Sequence, residues 1–210
     1  MKKMNAFVAA LLISIVGVAQ DEPKFGLKGG LNVSTLSYNN NTDADWKTGF
    51  HLGGLAHVHL TPSFSLQPEI YYSSQGAKGV PYINNTLNLN LSYVNVPILL
   101  QYNFANGFRL QGGPQVGFMT GVSDKVNDVE QNAYTTANFK AVDFSIPLGL
   151  SYLGFSGLGV DTRYNIGVSN VLKAGPVSAR NNVFQVGAFY LFDHKHKHKT
   201  SSKTRSRPKG

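Results

Sequence analysis

The chain has 210 residues, with 19 Lys and Arg against 11 Asp and Glu, 22 glycines, 13 Phe, 10 Tyr and no cysteine. Without cysteine there is no disulfide, no thiol chemistry and no lipid attachment through Cys. The formal charge of +8 sits at the two ends, in Lys2 and Lys3 and in the Lys/Arg-rich stretch after Asp193, so the balanced middle gives no support to a nucleic-acid ligand.

In chain order, Lys2 and Lys3 precede an apolar run from Ala6 to Val18, and Gly17-Val18-Ala19 forms a small-x-small site before Gln20. This layout predicts a cleavable export signal over 1–19. The apolar run is shorter than the ~20 residues that a membrane-spanning helix requires. No later stretch reads as such a helix, because Gly, Asn, Pro or a charge breaks each apolar run.

From Lys24 onward the pattern has period two, in which successive side chains point to opposite faces of a strand. Strand one, about Lys24 to Ser34, puts Phe25, Leu27, Leu31 and Val33 on one face and Lys28 and Asn32 on the other. The second, Thr48 to Leu60, sets Phe50, Leu52, Ala56 and Val58 against His51, His57 and His59, with Leu55 out of phase. In the third, Phe64 to Gln75, Leu66, Ile70 and Tyr72 oppose Gln67, Glu69 and Tyr71, and Pro68 sits outward, which a bulge could accommodate. The fourth sets Val94, Val96, Ile98, Leu100 and Tyr102 against Asn95, Pro97 and Gln101. Leu87, Leu89 and Leu91 before it carry the opposite phase, which predicts a bulge near Ser92 or an apolar loop hairpin.

The fifth strand separates Leu110, Val116 and Phe118 from Arg109, Gln111 and Gln115, and the sixth separates Phe144, Ile146, Leu148 and Leu150 from Asp143 and Ser145. The seventh sets Leu158, Val160, Tyr164 and Ile166 against Asp161, Arg163 and Asn165; the last sets Phe184, Val186, Tyr190 and Phe192 against Gln185. Long polar loops (Thr35 to Lys47, Gly76 to Leu91, Gly121 to Ala137, Ser169 to Asn181) alternate with short connectors at Thr61 to Ser63, Phe104 to Gly107 and Leu153 to Ser156. An even strand number with long loops on one rim and tight turns on the other predicts an all-β, eight-stranded antiparallel transmembrane up-and-down β-barrel over 20–192. Aromatic residues at the strand ends and the apolar lipid-facing row agree with that reading. Residues 193–210 are read as a basic disordered tail on the periplasmic side, the rim that both termini of an even-stranded barrel share.

The stretches GLKGGLN from Gly26, LQPEIYYSSQG from Leu66, YVNVPILLQYNF from Tyr93, GGPQVGFM from Gly112 and DTRYNIGVSNV from Asp161 carry a resemblance. They resemble the outer-membrane β-barrel domain common in Bacteroidetes, grouped as "porin family" or PorT-type barrels after an accessory protein of type IX secretion. The resemblance covers Phe25 to Phe192 and implies an architecture rather than an activity. The tail beyond Phe192 departs from the pattern in which an aromatic residue closes the chain.

The mid-strand charges Lys28, Glu69, Arg109, Asp143, Asp161 and Arg163 all fall on the inner face, as do the three strand histidines. Eight strands enclose an interior that side chains about fill, so the six charges are read as a paired structural plug rather than a solute pathway. His57 and His59 share a face, a spacing compatible with metal, but without a visible third ligand they read as lumen hydrogen-bonding groups. His194, His196 and His198 alternate with lysines and could hold a metal only weakly. Asn41, Asp43 and Asp45 mimic the start of a calcium loop, but Trp46 replaces the required Gly and Leu52 the Glu. His51 with Ser73 or Ser74 is too generic a pairing to name a hydrolase, so no catalytic, cofactor-binding or metal residue is assigned.

The leading expectation is a non-enzymatic outer-membrane barrel, monomeric, with a structural or surface-interaction role carried by its loops, where Tyr38, Trp46, Tyr82 and Tyr134 are contact candidates. The expected partners are outer-membrane lipid, the barrel-insertion machinery and, through the tail, anionic headgroups or cell-wall polymers. Narrow solute passage is the alternative. The resemblance adds a third, an accessory role in type IX protein secretion.

Overall fold

A computed structural model describes residues 22–39, 44–82, 85–126, 129–131, 133–173 and 177–192. The expected export signal over 1–19 and the expected basic tail over 193–210 therefore lie outside the described residues. The strands are β1 (Lys24–Tyr38), β2 (Lys47–His59), β3 (Phe64–Tyr82), β4 (Asn85–Asn103), β5 (Phe108–Gly112), β6 (Gln115–Val126), β7 (Val129–Glu130), β8 (Val142–Leu153), β9 (Leu158–Gly167) and β10 (Ala179–Leu191). A single turn of 3₁₀ helix, Thr136–Asn138, stands between β7 and β8.

Every neighbouring pair is antiparallel, and β1 pairs with β10 from Gly26↔Leu191 to Tyr38↔Ala179, which closes the sheet on itself. The ring has eight positions, because β5 and β6 follow one another in a single position between β4 and β8, and β7 only extends the outer end of β6. Around the ring each strand has a partner on both sides at the height of the short turns and mid-barrel, the condition for backbone to lie in hydrocarbon.

The outer surface is an apolar belt: Leu31, Leu52, Ile70, Leu110, Leu148 and Val160 are all exposed, while the alternate residues are buried in the lumen. A ring of aromatic pairs borders the belt at the short turns, with centroid separations of 5.3 Å for Phe64 and Tyr102, 5.1 Å for Phe108 and Tyr152 and 5.6 Å for Tyr190 and Phe192. Glycines make room inside. A Cβ at Gly53 would stand 2.4 Å from that of Tyr71, and one at Gly149 would stand 2.7 Å from that of Arg163.

Several sequence expectations change. The stretch from Gly76 is not a loop: β3 and β4 are 19 residues each and pair out to Tyr82 and Asn85. At ~3.3 Å per residue and a tilt near 40°, that hairpin is roughly 45 Å tall, well beyond the ~25 Å apolar band. The bulge belongs to the partner strand, because Ser92 faces Gly121 while Tyr93 faces Met119, which leaves Thr120 of β6 as the extra residue. β4 itself alternates without interruption, so Leu87, Leu89 and Leu91 point inward with Asn95. A second irregularity lies between Ala77 and Val80, where Gly79 adopts φ +66, a conformation that favours glycine.

Pro68 needs no bulge. The register with β4 is the same on both sides of it, and the ladder with β2 omits pairs between Leu55 and Val58 instead. Leu55, out of phase with its outward neighbours, is an inward residue that packs with Phe189 and Leu191. The fifth predicted strand is interrupted at Gly113 and Pro114, between β5 and β6.

Candidate functional site

The lumen is layered. At mid-height Arg163 of β9 reaches across the barrel to β3, and its Nη1 and Nη2 donate to the two carboxylate oxygens of Glu69 at 2.8 and 3.0 Å. Its Nε donates to Asp161 Oδ2 at 2.9 Å, and Lys28 Nζ lies 3.0 Å from Glu69 and 3.6 Å from Asp161. Gln67 Nε2 donates to the remaining capacity of Glu69 Oε1 at 2.8 Å. Two cations and two carboxylates thus neutralise one another, and of the four carboxylate oxygens only Asp161 Oδ1 is left without a hydrogen-bond partner, so the cluster meets the condition of charge balance under which buried ions are tolerated. The Lys28 ammonium also sits 5.1 Å from the ring centroid of Tyr71, whose hydroxyl donates to Gln115 Oε1 at 2.7 Å.

Of the six charges expected to balance inside, all are buried but only these four meet. Asp143 stands toward the long-loop end and accepts from the Ser169 hydroxyl. Arg109 stands near the short turns and makes no ion pair among the described residues.

On the long-loop side of the ion cluster, Asn32 organises a neutral network. Its Nδ2 donates to Phe50 O and to Ser73 Oγ, and its Oδ1 accepts from Gln185 Nε2 at 3.0 Å and from His51 Nδ1 at 2.8 Å. Because Oδ1 only accepts, the His51 proton sits on Nδ1. Although His51 and Ser73 are cross-strand partners, the Ser73 hydroxyl engages Asn32 and Gln75 rather than the imidazole, so no nucleophile-base pair forms there. His57 and His59 pack ring against ring at 4.7 Å, and among the described residues no three His, Asp or Glu side chains gather as a metal site requires.

Above the polar network the interior turns apolar. Leu36, Leu87, Leu89, Leu91, Phe139 and Val171 form one buried cluster that fills the mouth at the long-loop end. The loops fold down onto it: Asp124 accepts from the backbone N–H groups of Ala133 and Tyr134 at 3.0 and 3.1 Å, and Phe139 bridges to Leu172. Asp45, from the calcium-like stretch, bridges to Lys78 through backbone; Asn41 and Asp43 lie outside the described residues.

The four loop contact candidates fare differently. Trp46 is 52 % exposed, whereas Tyr38 and Tyr134 pack against the apolar cluster, and the Tyr82 side chain lies outside the described residues. Sequence reasoning placed Asn32 and Gln185 on the inner face and marked Leu87, Leu89 and Leu91 as out of phase, but gave none of them a role in the interior. The parity of Leu87, Leu89 and Leu91 was the available signal for the cap.

No curated protein shows significant sequence similarity to the chain. Among solved structures, Neisserial surface protein A aligns with a TM-score of 0.56 and 13 % identity, over 82 % of this chain and 100 % of that one. Ail, the attachment invasion locus protein of Yersinia pestis, aligns with a TM-score of 0.52 and 13 % identity over the same shares. At such identities the likeness is one of fold. Residues 18–173 match the family described as outer membrane protein beta-barrel domain, and with three quarters of its length so matched and its strands closed into a ring, the chain belongs to that family.

Proposed function

We propose that this outer-membrane barrel is a non-enzymatic, non-conducting scaffold whose folded loop cap serves surface interaction. The observation that supports it is the filling of the lumen at two heights: the four-charge cluster at mid-height and the apolar cluster beneath the loops. Eight strands leave little room beyond side chains, and each layer would have to open for a hydrated solute to pass.

In this reading the leader directs export, both termini lie on the periplasmic side with the short turns, and the long-loop rim faces outward. Exposed basic residues mark that rim: Lys140 and Lys173 flank the Phe139 bridge, and Arg180 follows Ala179, which is bonded to Val171 between them. A structure of Ail contains the heparin analogue sucrose octasulfate, so sulfated or phosphorylated glycans are the chemistry to try on this rim. A PorT-type or Bacteroidetes affiliation rests on the sequence stretches quoted above.

Planar-bilayer recording of the purified full chain tests the reading. The expected outcome is an electrically silent membrane at protein loadings that give steady current with an open porin. Steady conductance, altered by enlarging an inward side chain such as Ser145, would overturn it.

A further inference from the structure

Arg109 is an inward cation that no carboxylate compensates among the described residues. It is 6 % exposed, no carboxylate comes within 4.0 Å of it among the described residues, and its Nη1 is buried without a hydrogen-bond partner. The ion cluster next to it is already neutral, and the other buried carboxylates, Asp143 and Asp124, are engaged with Ser169 and with the loop backbone toward the opposite rim. A buried guanidinium without a counter-charge is among the costliest arrangements a protein can hold.

Two of its nearest neighbours along the wall are unpartnered donors. Ser151 is the direct cross-strand partner of Arg109 on β8, and its hydroxyl has no partner. Gln111, the next inward residue on β5, accepts through Oε1 from Gln101 at 2.8 Å, which leaves its Nε2 directed elsewhere and unpartnered. Cross-strand Cβ atoms lie ~5 Å apart and same-face residues along one strand ~7 Å apart, so the three donors share one patch of wall. Asp161, on the far side of Ser151, is bound to Arg163 through Oδ2; its Oδ1 has no hydrogen-bond partner, but the carboxylate stands more than 4.0 Å from the Arg109 nitrogens. Water could satisfy these hydrogen bonds, but it could not supply the missing charge.

We propose that Arg109, Ser151 and Gln111 form a binding site for a small inorganic anion of chloride size in the short-turn half of the lumen. A monovalent anion neutralises the guanidinium and accepts from the hydroxyl and the amide together.

The test uses the full chain in detergent at constant ionic strength, with sodium gluconate exchanged for sodium chloride in one arm and for sodium phosphate in another. Chloride at ten times its dissociation constant is expected to raise the thermal midpoint by ~3–6 °C and to saturate. Arg109→Gln is expected to abolish that rise, and Ser151→Ala to weaken it. Crystals of the unaltered protein grown in bromide should show an anomalous peak beside Arg109 Nη1, a readout that does not depend on any variant folding. A midpoint indifferent to chloride, a rise undiminished in Arg109→Gln, stabilisation by phosphate alone, or no bromide at Arg109 would each overturn the proposal.

Discussion

Arg163 holds the centre of this molecule, since one guanidinium satisfies both oxygens of Glu69 and one of Asp161. Truncating it leaves two buried carboxylates with only Lys28 between them, a loss of the kind that costs about 3–5 kcal/mol. Arg163→Ala is therefore expected to lower the urea midpoint of the folded barrel in detergent, and an unchanged midpoint would mean that the cluster contributes no stability. Period-two parity told which face each charge occupies but not its height in the barrel. Height depends on the stagger of neighbouring strands, and stagger is set by bulges such as the extra Thr120 on β6, which no local pattern announces. For that reason Arg109 and Asp143 read as members of one network with the other four, although the strands carry them to opposite ends.

At the scale of the element, the β3–β4 hairpin does two jobs in one continuous alternation. Its lower half sends Ile70, Tyr72, Leu100 and Tyr102 outward into the apolar belt, and its upper half sends Leu87, Leu89 and Leu91 inward beneath the loops. The inward leucines look out of phase only under the rule that an apolar row faces lipid throughout. Above the hydrocarbon the rule inverts, and the strand pair buries its apolar side as a soluble protein does. Leu91→Ala is expected to cost about 2–5 kcal/mol locally, as deletion of a buried leucine side chain does. Faster protease cleavage of the long-loop rim with the closed ring retained is the expected result. Equal cleavage rates would show that the cap does not depend on this cluster.

At the scale of the whole molecule, the claim that matters is which side of the ring meets hydrocarbon, because an alternating sheet is equally compatible with a soluble sandwich. The strand alternation and the rotation of long loops with short turns made the barrel legible, whereas the true length of the β3–β4 hairpin was hidden by the polar residues that face water above the membrane. Leu148 offers a direct test, since it is exposed and adjoins Gly149, the cross-strand partner of Arg163, and so lies at the height of the ion cluster. In a membrane-spanning ring, Leu148→Arg places a cation near the bilayer midplane and is expected to cost ~2–4 kcal/mol, read from urea titration of the folded fraction in lipid vesicles. Tyr152→Arg, on the same outward row beside the short turn, is expected to cost ~0–1 kcal/mol, because the penalty fades toward the interface. A soluble sheet with this face in water would tolerate both substitutions alike, so equal and small effects at the two heights would remove the membrane assignment. A graded loss from Tyr152 to Leu148 would tie the apolar row to lipid by its depth dependence, a property that neither sequence periodicity nor ring closure supplies.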